Sequence, residues 1–177
     1  MGHFFLRLIR EPKYYRLLLD ELDILNVIKG ESYLKYDQVK SLKYFDAFLR
    51  ESMRLDPVVS GSMLRTNNDK ECKIEGICIP IGTMVTNSMY FVHHSHPGSN
   101  NQINHSIIFK GWGDPEVFRP ERFMQTTTKT NEQNAFDRKA CDDLFMPFSI
   151  GARNCIGKNF AMMVFHQDVF NVINSRK

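Results

Sequence analysis

The stretch that most constrains this chain is Phe148-Ser149-Ile150-Gly151-Ala152-Arg153-Asn154-Cys155-Ile156-Gly157, which runs straight into an apolar segment, 158–164. A cysteine placed where a glycine-bearing loop gives way to a helix favours the thiolate. Loop and helix-start N–H groups face it, the positive end of the helix dipole adds to them, and Arg153 brings a formal charge two residues away. Gly151 and Gly157 remove Cβ atoms on either side of Cys155, so the backbone can fold tightly around the sulfur and a large flat group can approach it. Taken without its neighbours, Cys155 would read as a buried free cysteine.

The bulk properties narrow the class. With 177 residues, 42% of them hydrophobic and 24% charged, the chain is long enough for one globular domain with its own core. A net charge of +3 is too small to argue for nucleic acid. No apolar run approaches a membrane span, and the opening residues Met1 to Arg7 lack the apolar core of a secretory signal. Met1-Gly2 invites myristoylation, but Leu6 stands where that pattern needs Ser or Thr. Cys72, Cys78, Cys141 and Cys155 are irregularly spaced, which fits reduced thiols better than a disulfide framework. Cys72 and Cys78 with His93, His94 and His96 form a weak candidate zinc or redox-thiol module, because the cysteine spacing is wide for a zinc pair.

Along the chain, apolar residues recur at three and four positions from Phe4 to Leu25 (Phe5, Leu8, Ile9, Tyr14, Leu17, Leu18, Leu22), with Pro12 splitting the pattern into two helices and opening the second. Residues 24–37 read as a polar connection. Leu42 to Leu55 is the clearest helix, with Leu42, Phe45, Phe48, Leu49 and Met53 on one face and Glu51 and Arg54 three residues apart, close enough to pair. Residues 73–85 alternate and turn at Pro80 to Gly82, which predicts a hairpin that continues through Tyr90 to Pro97. His93, His94 and His96 read as solvated turn residues. Met124 to Asp143 reads as a polar loop, and Phe160 to Val172 as a helix whose apolar face (Phe160, Met163, Val164, Val169, Phe170) is core.

The spacing F-x-x-G-x-R-x-C-x-G from Phe148 resembles the haem-binding loop of the cytochrome P450 family. Glu51-Ser52-Met53-Arg54 resembles that family's E-x-x-R motif, and Trp112-Gly113-Asp114-Pro115-Glu116 with Phe118-Arg119-Pro120-Glu121-Arg122-Phe123 resembles the segment preceding the loop. The resemblance runs from about Phe4 to Phe170 and implies a mainly α fold with a small β-sheet (α+β), a partial cytochrome P450 fold. It implies that Cys155 is the axial ligand of the iron of haem b (iron protoporphyrin IX), whose thiolate favours cleavage of the O–O bond of dioxygen. It further implies that Arg153 and Arg65 pair with haem propionates, that Phe148 packs over the sulfur and that Gly151 turns the loop so its N–H groups aim at it. Glu51, Arg54 and Arg122 would form a buried structural network beneath the haem. The resemblance thus implies haem as the cofactor, and an electron-donor reductase and a small apolar substrate as the partners. Lys158 and Arg153 would line the face where an acidic reductase docks.

The chain departs from the family pattern in three places. Ser95 replaces an arginine, and residues 98–111 intervene before Trp112 as a probable insertion, either a retained intron or a surface loop. No Ala-Gly-x-Asp/Glu-Thr pattern is present, so no catalytic residue is assignable to oxygen activation. Residues 1–177 therefore read as a carboxy-terminal fragment of a single cytochrome P450 domain. Two functions follow: a haem-thiolate monooxygenase, or a truncated non-catalytic remnant. The style of the motifs points to a fungal or other eukaryotic member, for which the endoplasmic reticulum membrane is expected at full length. The substrate is unreadable.

Overall fold

The computed structural model describes residues 2–24, 33–61, 64–68, 70–74, 76–94, 112–124 and 138–174. Two antiparallel strand pairs and seven helices are seen among them, giving a mainly helical α+β architecture. The helices are α1 (Gly2–Arg10), α2 (Pro12–Ile24), α3 (Tyr36–Ser41), α4 (Lys43–Leu55), α5 (Met89–His93), α6 (Arg138–Leu144) and α7 (Lys158–Asn174).

Helix α4 is the hub. Its ring-bearing face, Phe45 and Phe48, is fully buried against α1, α2 and α7. Phe48 meets Phe4, Tyr14 and Phe118 in edge-on ring pairs with centroids 4.8, 5.7 and 5.1 Å apart, the arrangement aromatic quadrupoles prefer. The start of α4 is closed from a distance: the Glu21 carboxylate of α2 accepts the amides of Tyr44 (2.7 Å) and Phe45 (2.9 Å), satisfying two otherwise orphaned donors. Pro12 stands at the first position of α2, where its missing N–H costs nothing. Leu8, Tyr14, Leu18 and Leu22 point inward, whereas Ile9 and Leu17, expected on the same face, are exposed.

A second core lies on the far side of α4, where Ala47, Trp112, Phe123, Cys141 and Leu144 pack together. It draws the 3₁₀ turn Pro120–Phe123 and α6 onto the helix.

Four local expectations change. Helix α3 occupies part of the expected polar connection, and α6 part of the expected polar loop. The hairpin is closed elsewhere: β2 (Cys72–Ile74) pairs with β3 (Ile77–Ile79) around Gly76, whose φ of 83° suits a residue without Cβ. The Pro80–Gly82 turn instead carries the chain to β4 (Met84–Val85), which pairs with β1 (Arg65–Thr66). The strand pattern does not run on through Tyr90, because Ser88 caps α5 by accepting the Phe91 amide at 3.2 Å. The expected insertion 98–111 lies outside the described residues, as does His96.

Candidate functional site

The cysteine loop is shaped by its own backbone. Phe145 and Met146 leave α6, the Met146 carbonyl accepts the Ser149 N–H at 2.9 Å, and the Phe148 carbonyl accepts the Cys155 N–H at 2.9 Å. Between them Ser149 (φ 60°) and Gly151 (φ 74°) adopt left-handed backbone; Gly151 takes it without strain, whereas Ser149 stores some. A 3₁₀ turn, Gly151–Arg153, leads to Cys155, and α7 begins three residues later.

Cys155 is exposed. So are the apolar residues that flank it along the chain: Ile150, Ile156, Phe160 (75%) and Met163. The expectation that Phe160 and Met163 are core is therefore corrected; Val169, Phe170 and Ile173 fill that role at the other end of α7. A Cβ added to Gly157 would lie 3.7 Å from the Cys155 sulfur, so glycine leaves that flank of the thiol open. Among the described residues no N–H donates to the sulfur. Arg153 is exposed and, among the described residues, meets no carboxylate, while Arg65, in β1, donates to the neighbouring Leu64 carbonyl at 3.1 Å. Phe148 is partly buried and tied to Cys155 through the backbone bond.

Behind the loop lies a charged network with no solvent contact. Arg54 grips Glu51 through two bonds of 2.9 Å, and Arg122 Nε donates to the same carboxylate at 3.1 Å. The Arg119 amide adds a fourth donor at 2.9 Å. Arg122 also donates to the carbonyls of Trp112, Asp114 and Val117 and to the Asp114 carboxylate, and Arg54 donates to the His93 carbonyl at 2.7 Å. Two guanidinium groups thus share the Glu51 carboxylate, Arg122 reaches a second carboxylate at Asp114 (3.4 Å), and backbone carbonyls take further N–H groups, the condition under which burying charge is tolerated. The Arg54 guanidinium also lies over the Trp112 ring at 5.1 Å.

His93 is the residue sequence reasoning misplaced. It is fully buried, stacked on Phe145 and edge-on to Trp112, because α5 turns Met89 and His93, four residues apart, to the same inner face. That spacing was the available signal. Burial, reinforced by the Arg54 charge, lowers its pKa to about 4. His94 is half-buried, stacked on Tyr90 at 3.9 Å. Cys72, Cys78, His93 and His94 are not gathered, and among the described residues no cluster of three or more His, Cys, Asp or Glu is arranged to hold a metal ion.

A cleft of about 720 Å³ opens beneath the loop, lined by Phe148, Ile150, Met162 and His166 and by the cations Lys43 and Lys158.

The family model described as Cytochrome P450 matches residues 1–173. Among curated relatives, cytochrome P450 3A41 of Mus musculus is 32% identical over 158 residues, 88% of this chain and 26% of the relative. Cytochrome P450 3A5 of Homo sapiens is 32% identical over 156 residues, again 88% and 26%. The trifunctional (S)-stylopine synthase/(S)-nandinine synthase/(S)-canadine synthase of Argemone mexicana is 28% identical over 170 residues, 96% of this chain and 30% of the relative. The chain thus spans between a quarter and a third of the length of these relatives.

Proposed function

The chain belongs to the cytochrome P450 family, and from that premise we propose that it is the carboxy-terminal, haem-binding part of a haem-thiolate monooxygenase domain that hydroxylates a small apolar substrate. The observation that carries this reading is the exposed thiol of Cys155 at the head of α7, flanked by exposed Ile156 and Phe160. Large apolar side chains left in water beside an accessible sulfur suit a flat apolar group that ligates the sulfur and covers them. The residues present fit haem b: one soft thiolate donor, an open flank at Gly157, and Arg153 free to meet a propionate.

In this reading Cys155 holds the iron and Arg153, with Arg65, neutralises the propionates. Phe148 and the tight turn at Gly151 would set the course of the loop, and bound haem would cover the sulfur that they leave exposed. Glu51, Arg54 and Arg122 keep the Trp112–Phe123 segment fixed on α4 behind the loop, so the ligand is presented from a rigid base. When bound, haem supplies the redox chemistry that activates molecular oxygen. The electrons would come from a reductase, for which exposed Arg153 and Lys158, on either side of Cys155 in the chain, offer positive charge. Residues 98–111 are an insertion within this domain, and sequencing the transcript decides between a loop and an intron. None of the described helices is long and apolar enough to cross a membrane, so placement of the full-length protein at the endoplasmic reticulum rests on the family alone.

The test is the carbon monoxide difference spectrum of the full chain mixed with haem and reduced. A far-red-shifted Soret band that vanishes in Cys155→Ala supports the reading. A spectrum without that band overturns haem binding by this chain and leaves the non-catalytic remnant.

A further inference from the structure

His93 is a buried titratable side chain bonded to the entry of the cysteine loop, and nothing in the proposed chemistry uses it. Its Nε2 lies 3.4 Å from the amide nitrogen of Met146, the residue that opens the loop. An amide can only donate, so Nε2 accepts and the neutral ring carries its hydrogen on Nδ1. That atom is buried and has no hydrogen-bond partner. A buried donor left unpaired is costly, and a leucine of similar bulk would avoid the cost. The imidazole therefore serves the bond it does make. From Met146 the path is short: its carbonyl holds the Ser149 N–H at 2.9 Å, next to Phe148, whose carbonyl holds the Cys155 N–H at 2.9 Å.

We propose that His93 is a positioning residue for the cysteine loop: its neutral imidazole fixes the loop's entry through the Met146 amide, and protonation of the ring releases it. A protonated ring carries N–H on both nitrogens, so Nε2 would face the Met146 amide donor to donor. The charged groups around it oppose that state. From α4, Arg54 bonds the His93 carbonyl and is balanced by Glu51; from the segment after Trp112, Arg122 bonds the Trp112 carbonyl and shares the same carboxylate; from α5 itself, His94 adjoins. From the α6 side the neighbour is Phe145, which carries no charge. The geometry stands without haem; only its consequence for the ligand rests on the reading of Cys155.

The test is amide hydrogen exchange, read by NMR on the haem-free full chain, with the fluorescence of the single tryptophan, Trp112, reporting the fold. In His93→Leu the Met146 and Ser149 amides exchange about tenfold faster than in the wild type, while His93→Gln, whose side-chain carbonyl can accept the same N–H, restores protection. Equal protection in wild type and His93→Leu overturns the proposal, and so does a His93→Gln no better protected than His93→Leu. Should His93→Leu fail to fold, acid titration of the wild type decides. Met146 protection, corrected for intrinsic exchange, falls with the same midpoint as the His93 ring signals, and protection that persists through that midpoint overturns the proposal. Because no haem is present, a missing Soret band would sink the ligand role of Cys155 and leave this result standing.

Discussion

Arg122 Nε and Glu51 Oε1 meet at 3.1 Å across 71 positions of sequence, and neither side chain touches solvent. The contact joins the end of the Trp112–Phe123 segment to the middle of α4 and makes one carboxylate the counter-charge for two guanidinium groups.

Removing that carboxylate takes from buried Arg54 the carboxylate it pairs with and leaves buried Arg122 only its longer contact with Asp114, at 3.4 Å. Glu51→Ala is expected to destabilise the chain by about 3–5 kcal/mol, measured as the denaturant midpoint by circular dichroism. Arg50→Ala, whose partly solvated i,i+4 pair with Asp46 lies on the same helix, should cost about 1 kcal/mol or less. Equal losses in both variants would refute the buried network as a stabilising element.

Cys155 is exposed, outside both hydrophobic clusters of the described residues. Cys155→Ser should therefore leave the unfolding midpoint of the haem-free chain within about 0.5 kcal/mol of the wild type while abolishing the thiolate–haem spectrum. A variant that loses its fold together with its spectrum would show the thiol to be structural.

Gly151 holds φ 74° with open space where a Cβ would point. Gly151→Ala thus meets no clash, and its cost, about 1–2 kcal/mol, comes from backbone strain alone. Gly151→Asn, which tolerates left-handed backbone better, should recover part of that loss in thermal melts. A reversed order would mean that side-chain bulk, not φ, limits this position.

His93 and His166 are both buried, and both have pKa values lowered chiefly by desolvation. The folded state binds their protons less readily than the unfolded chain, so their contribution to stability is full above pH 6.5 and lost as pH falls toward the folded values. For His93, from 6.5 to about 4, the loss is on the order of 3 kcal/mol. Unfolding followed by Trp112 fluorescence should show stability declining through that window in the wild type and a shallower decline in His93→Gln.

Phe48 lies at the junction of α1, α2, α4 and the Phe118 segment. Phe48→Ala is expected to cost about 3–5 kcal/mol, whereas truncating exposed Phe160 should leave the haem-free chain nearly unchanged and weaken haem uptake. Unfolding curves and haem titration separate the two effects.

What the sequence determined by itself was whatever is carried by short-range spacing. The cysteine loop pattern names the ligand candidate, three- and four-residue recurrence marks α1, α2, α4 and α7, and Pro12 divides the first two helices because a proline removes the donor that a continuous helix needs. What only the tertiary structure decided was which faces are covered and by what. The hairpin closes at Gly76 although the Pro80–Gly82 signal is as strong, because β4 finds its partner in β1. Glu51 and Arg54 have the spacing of a solvated pair, and burial beneath the Trp112 segment turns them into a core element. Phe160 has the spacing of a core residue and faces outward, while His93 looks like a turn histidine and is sealed between Trp112 and Phe145. Periodicity reports which residues share a face. Burial is set by segments tens of residues away, and those contacts exist only once the chain has folded.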